Sequence, residues 1–162
     1  MKFKVFSLGV FAAFVLSAAV QAGAVRVSVQ EKGSHSTDPK DKNSVTQEKQ
    51  LTIKLDNLSR DNLEGLKVKY TFFGKNVEGK LTTPLKSGET TASIPPGGTV
   101  TVQSEKTTAT LVDKHMIKGK LVPAKGEKLS GYGVEVFNGT TQVGEFYSSP
   151  ELKLKASGSA AQ

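Results

Sequence analysis

The chain has 162 residues, no Cys or Trp and two His, and 22 Lys and Arg against 15 Asp and Glu give it a net charge of +7. The length suits one domain. The missing cysteine excludes disulfides, thiol nucleophiles, thiolate metal centres and a lipid-acceptor cysteine, so the fold must hold on its core alone.

MKFK sets Lys2 and Lys4 before an apolar run from Val5 to Leu16, and the small-residue stretch SAAVQAGA follows. Ala22-Gly23-Ala24 has the A-x-A form of a cleavage site, and Val20-Gln21-Ala22 also fits one. Residues 1–24 therefore read as a secretory signal peptide cut after Ala22 or Ala24. The apolar run is short for a membrane span. Removing residues 1–24 leaves 20 basic residues against 15 acidic ones, a charge of +5.

In AVRVSVQE, Val25, Val27 and Val29 alternate with polar residues, which predicts a half-buried strand. Residues 32–48 are polar and rich in turn formers, with Val45 the one apolar side chain, and read as a long loop or linker. Leu51, Ile53 and Leu55 share the face of a second strand. In LKVKYTFF, Leu66, Val68, Tyr70 and Phe72 point one way and Lys67, Lys69 and Thr71 the other, which puts Phe73 on the wet side. LKSGETTASI is a weaker strand. Pro96-Gly97 fits the centre of a type II turn. TVTVQS carries Val100 and Val102 on one face, and TTATLV and IKGKLV are strands of uncertain phase. Tyr132, Val134 and Val136 point inward, Asn138-Gly139 predicts a type I′ hairpin, and Gly144 marks a bulge in the return strand. LKLK reads as a last strand, and residues 156–162 as a disordered tail. About eight strands without helical periodicity predict an all-β antiparallel sandwich of immunoglobulin or fibronectin type III style over residues 25–155, with a closed barrel as the second choice.

Chemistry finds little footing. His35 lies in the polar stretch, and His115 shares a strand face with Asp113, too few ligands for zinc. The oxygen donors from Asp56 to Glu64 could serve calcium, but lack EF-hand spacing and have Arg60 among them. Asn57-Leu58-Ser59 and Asn138-Gly139-Thr140 match the glycosylation pattern. No catalytic residue, cofactor or metal is assigned, and an enzyme is not expected. The lysine pairs Lys67/Lys69, Lys118/Lys120 and Lys153/Lys155 stand at i, i+2. They keep outer sheet faces soluble, or attract anionic glycan or lipid surfaces. Nucleic acid is not expected for an exported chain with few aromatics.

The signal-like start, VKYTFFGKNVEGK, IPPGGTVTVQSEK and GYGVEVFNGTTQVGEFYSSPELK resemble small exported immunoglobulin-like proteins of mucin-degrading Verrucomicrobia. The resemblance runs from about residue 49 onward. It implies an outer-membrane-associated protein encoded beside type IV pilus-like components, and brings no catalytic residues. The chain departs from true pilins, whose apolar helix stays in the mature filament.

These readings converge on a non-enzymatic structural or interaction protein of the bacterial envelope, in the periplasm, at the outer membrane or on the cell surface. The alternatives are a carbohydrate-binding module for mucin or cell-wall glycans, and a small inhibitor of a host enzyme. Phe73, Lys67, Lys69, Phe137 and Tyr147 form the candidate interaction surface. A first strand on a long polar tether makes Val25, Val27 and Val29 candidates for exchange between subunits, and a homo-oligomer is expected.

Overall fold

The computed structural model describes residues 23–38, 42–78 and 81–158; residues 1–22 of the expected signal peptide lie outside them. The strands are β1 (Val25–Thr37), β2 (Ser44–Asn57), β3 (Leu63–Asn76), β4 (Thr82–Ile94), β5 (Thr99–Gln103), β6 (Thr107–Val112), β7 (His115–Ile117), β8 (Lys120–Val122), β9 (Lys125–Asn138) and β10 (Thr141–Tyr147). A short helix, α1 (Pro150–Gly158), follows.

The fold is an all-β antiparallel sandwich. In one sheet β2 is central, with β1 on one side and both β6 and β5 on the other, β6 beside its first half and β5 beside its second. The other sheet runs β4-β3-β9-β10. Consecutive strands β2 and β3 lie in different sheets, a Greek-key crossover. Pairing of Leu111 with Gly126 and of Val112 with Lys125 joins the sheets at one corner.

Period-2 alternation builds the interior as expected. Leu51, Ile53 and Leu55 from β2, Leu66, Val68, Tyr70 and Phe72 from β3, and Val134 and Val136 from β9 are all buried. Val27, Val29, Val100, Val102 and Tyr132 are half-buried against them. The Tyr70 ring lies over Gly88, its cross-strand partner, and meets Phe72 edge-on at 6.2 Å. Its hydroxyl oxygen accepts a hydrogen bond from the Glu105 amide at 3.0 Å, which satisfies a buried polar group and ties β3 to the β5–β6 connection.

The turn chemistry largely follows the residues. Gly97 has φ +62°, and the Gly98 amide donates to the Pro95 carbonyl at 2.9 Å, a type II turn with Pro96 and Gly97 at its centre. The β9–β10 ladder shifts register between Gln142 and Gly144, the anticipated bulge. That hairpin's central residues are Gly139 and Thr140, not Asn138 and Gly139, because Asn138 pairs with Thr141. Positive φ falls on Gly139 but not on Thr140, the pattern of type II′ rather than I′.

Three segments differ from the sequence reading. Residues 32–37 and 44–48 are strand, not linker: β1 and β2 pair continuously from Val25↔Asn57 to Thr37↔Val45. Polar contacts replace apolar ones there. Lys49 Nζ lies 2.8 Å from Glu31, Thr46 meets Thr110 across to β6 at 3.3 Å, and Gln47 Oε1 accepts from the Leu129 amide at 2.9 Å. The long tether that strand exchange requires is therefore missing, and Val25, Val27 and Val29 are seated against the chain's own β2.

The second difference is LKLK, which forms part of α1 rather than a strand, so the helix also takes in residues 156–158 of the expected tail. Pro150 suits the first helical position, Glu151 the first turn and Lys155 the last. Leu152 is buried and Leu154 is exposed. Lys153 and Lys155, two residues apart on a helix, consequently share no face. Third, Lys118 lies in a turn at φ +48° while Lys120 begins β8, so those two share no strand face either.

Ile53 has no solvent exposure. Ile53→Ala is expected to lower unfolding free energy by about 2–5 kcal/mol, measured by urea denaturation; an unchanged midpoint would remove Ile53 from the core.

Candidate functional site

The outward face of the β4-β3-β9-β10 sheet gathers most of the predicted surface residues. Directly opposed residues in an antiparallel ladder share a face. The register therefore sets rows across the sheet: Thr91, Lys67, Phe137 and Gln142; then Glu89, Lys69, Glu135 and Glu145; then Ser87, Thr71, Gly133 and Tyr147. The next row opposes Phe73 and Gly131. All five predicted residues thus fall on one face, but Phe73 takes no part in its surface.

Phe73 is completely buried. A Cβ on Gly131, its cross-strand partner, would run into Leu152 and the Ser148 hydroxyl, so the start of α1 sits over this end of the sheet. Ser130 Oγ donates to the Phe73 carbonyl at 3.1 Å. The ladders on both sides of β3 shift register here, between Phe72 and Phe73 toward β4 and between Phe73 and Gly74 toward β9. These bulges leave Leu85 and Ser130 outside the pairing and return Leu129 to the interior.

Phe137 is half-buried, and the exposed Lys69 ammonium stands 5.1 Å from its ring centre. Such an exposed cation–π contact contributes about 0.5–1 kcal/mol. The Tyr147 ring covers Gly133, filling the space a side chain there would need. Its hydroxyl donates to Glu135 Oε1 at 2.8 Å. Burial, then the bond to Glu135, raises the Tyr147 pKa.

Glu135 and Glu145 oppose each other across β9 and β10, a like-charge pair that needs compensation. Tyr147 donates to the first carboxylate. Gln142 donates to the second at 3.0 Å, and Lys153 of α1 pairs with it. Lys67 lies 3.9 Å from Glu89, and Thr71 meets Ser87 at 3.0 Å. The face is of mixed charge, and hydrogen bonds and ion pairs tie its side chains together. The sequence reading did not single out Glu89, Glu135 or Glu145, although the alternation of Glu135 between inward Val134 and Val136 already pointed it outward.

The other candidates are spent locally. The buried Asn57 side chain organises the Asp56–Glu64 loop. Its Nδ2 donates to the carbonyls of Asp61, Ile94 and Pro95 at 2.8–3.2 Å, and its Oδ1 accepts from the Ser59 amide and hydroxyl. That also removes Asn57 as a glycosylation acceptor. The Asp56 carboxylate accepts from Thr99 Oγ1 at 2.7 Å, which, with Lys54 nearby, lowers its pKa. Asn62 donates to Glu64 at 2.8 Å. His115 Nδ1 is 2.8 Å from the Asp113 carbonyl. Among the described residues no three His, Asp or Glu side chains cluster as metal ligands.

No family model and no curated protein matches the chain. Among solved structures it is similar to one described as the "X-ray structure of Northeast Structural Genomics Consortium target SoR45", at 19% identity over 80% of this chain and 89% of that one, with a TM-score of 0.38.

The raised pKa values of Tyr147 and Tyr132 carry a sign. Burial is the first cause in both. A phenol that keeps its proton longer when folded contributes stability below its ordinary pKa of 10.0, and that contribution is lost as pH rises further. Stability should therefore fall above pH 10, and Tyr147→Phe should flatten the decline. Denaturation midpoints measured across this range check it; identical slopes in the two proteins would contradict the burial argument.

Proposed function

We propose that this chain is a non-enzymatic structural or interaction protein of the bacterial envelope that self-associates through the outer face of its four-stranded sheet. The observation that carries the reading is the charge layout of that face. Lys67 and Lys69 stand in one column on β3, with Glu89 on β4 to one side and Glu135 and Glu145 on β9 and β10 to the other. A second copy turned by half a rotation can lay its lysines against the first copy's glutamates, the self-complementarity of a two-fold interface. Half-buried Phe137 and Tyr147 add the aromatic content favoured at such contacts.

The Greek-key strand order supports an immunoglobulin-type sandwich. The signal-like first residues support export, and the resemblance to pilus-cluster proteins supports a place beside type IV pilus components. The backbone also bears on processing. The Leu58 amide donates to the Ala24 carbonyl at 2.8 Å, and Gly23 packs tightly against the Val143 carbonyl. Both contacts favour cleavage after Ala22 over cleavage after Ala24.

The glycan-module alternative needs a flat aromatic platform, and it draws less support. Phe73 is buried, and Lys69 occupies a position over the Phe137 ring.

Light scattering across a concentration series tests the reading. The secreted protein should form dimers or larger assemblies, and Lys67→Glu with Lys69→Glu should weaken association at least about tenfold, the effect of about 1.4 kcal/mol. A protein that stays monomeric at high concentration would defeat the self-association reading. Intact mass should place the secreted N-terminus at Gly23.

A further inference from the structure

The β7–β8 hairpin belongs to neither sheet of the sandwich. Such a two-stranded ribbon is marginal in water on its own. It nevertheless presents three large apolar side chains to solvent: Met116 at 62% exposure, Ile117 at 52% and Leu121 at 65%. Met116 opposes Leu121 on one face of the ribbon, and Ile117 opposes Lys120 on the other. The apolar groups therefore point to both sides of the tip. A protein groove reads one face of a ribbon; a fluid phase surrounds both.

The charges around the tip favour one phase. Lys114, Lys118, Lys120 and Lys125 are all exposed, against the single acidic residue Asp113 in this stretch. Lys118 and Gly119 form the two-residue turn with φ +48° and +79°. Lys118 is the one non-glycine with positive φ among the described residues. Gly or Asn would adopt that conformation at lower cost, yet the tip carries an ammonium. The hairpin also shares its end of the sandwich with the turn before β2 and the β3–β4 connection, since Ser44 pairs with Val112 and Asn76 with Glu127. The exposed Lys42 and Leu81 lie at that end, as do the acidic Asp38, Glu78 and Glu127.

We propose that the β7–β8 hairpin is a docking tip for anionic phospholipid bilayers. Met116, Ile117 and Leu121 enter the boundary between headgroups and acyl chains. The four lysines lay their stems along the apolar surface and keep their ammonium groups among lipid phosphates. The site is separate from the sheet face and does not depend on self-association.

The chain has no tryptophan, so Leu121→Trp supplies a single reporter within the hairpin. In the full chain carrying this substitution, tryptophan emission should shift to the blue on phosphatidylglycerol-containing vesicles. It should stay unshifted on phosphatidylcholine vesicles. Each lysine replaced by glutamine among Lys114, Lys118, Lys120 and Lys125 should weaken vesicle affinity about fivefold. Met116→Ser with Ile117→Ser should weaken binding in the same reporter background, and the unfolding midpoint of each variant confirms that the sandwich is intact. A tryptophan that remains wet on anionic vesicles would overturn the assignment and leave a protein groove as the occupant. An equal shift on neutral vesicles, or unchanged affinity in the fourfold glutamine variant, would overturn it as well.

Discussion

Two adjacent phenylalanines pointing to opposite faces of one strand set the terms for this protein. Phe72 and Phe73 are both fully buried. Neighbours on a strand cannot reach the same core, so both faces of β3 must be dry at this point. The sandwich interior covers Phe72. Phe73 needs a second cover on the outer side, where Leu152 of α1 and Ser148 sit over Gly131, its cross-strand partner. The paired bulges beside Phe73 belong to the same solution, because they turn Leu129 back inward while the outer face is occupied.

The open margin of the sandwich is held differently. Lys86 on edge strand β4 pairs with Glu105 at 2.8 Å and donates to the Lys106 carbonyl at 3.0 Å. The Lys86 partner lowers the pKa of Glu105. Tyr70 reaches the same connection through the Glu105 amide. Thus one loop between β5 and β6 receives a contact from the interior and another from the rim, and the two sheets stay in register where no strand bridges them. Exposed ion pairs contribute little individually. Here the charged contact sets position while the buried apolar face supplies most of the stabilisation.

The sandwich was legible wherever burial imposed a period. Leu51-Ile53-Leu55 and Val134-Val136 alternate because one side meets the core, and Pro96-Gly97 fixed a turn through backbone geometry alone. Residues 32–48 hid their strands because hairpin hydrogen bonds join backbone to backbone and need no apolar side chains. The helix at Pro150 is one short element with a single buried leucine, too little for any periodicity, and LKLK fits a strand equally well by alternation. The hairpin at His115–Val122 broke the phase of its neighbours by leaving both sheets. The lysines and aromatics of the outer face could be picked out by their position opposite the core residues. Their acidic partners on β4, β9 and β10 could not, because cross-strand neighbours depend on register between distant segments. For the same reason Phe73 looked wet: Leu152, which sits over its cross-strand partner Gly131, lies nearly eighty residues further along the chain.

That distance has a consequence for how the molecule comes into being. Chains emerge from the ribosome, or through a translocation channel, with the N-terminus first. Phe73 and every strand around it are available before Pro150–Gly158 has been made. Until that segment docks, the outer face around Gly131 lacks the cover of Leu152. Docking of Pro150–Gly158 then sets Leu152 over Gly131, so this end of the outer face is finished later than the interior.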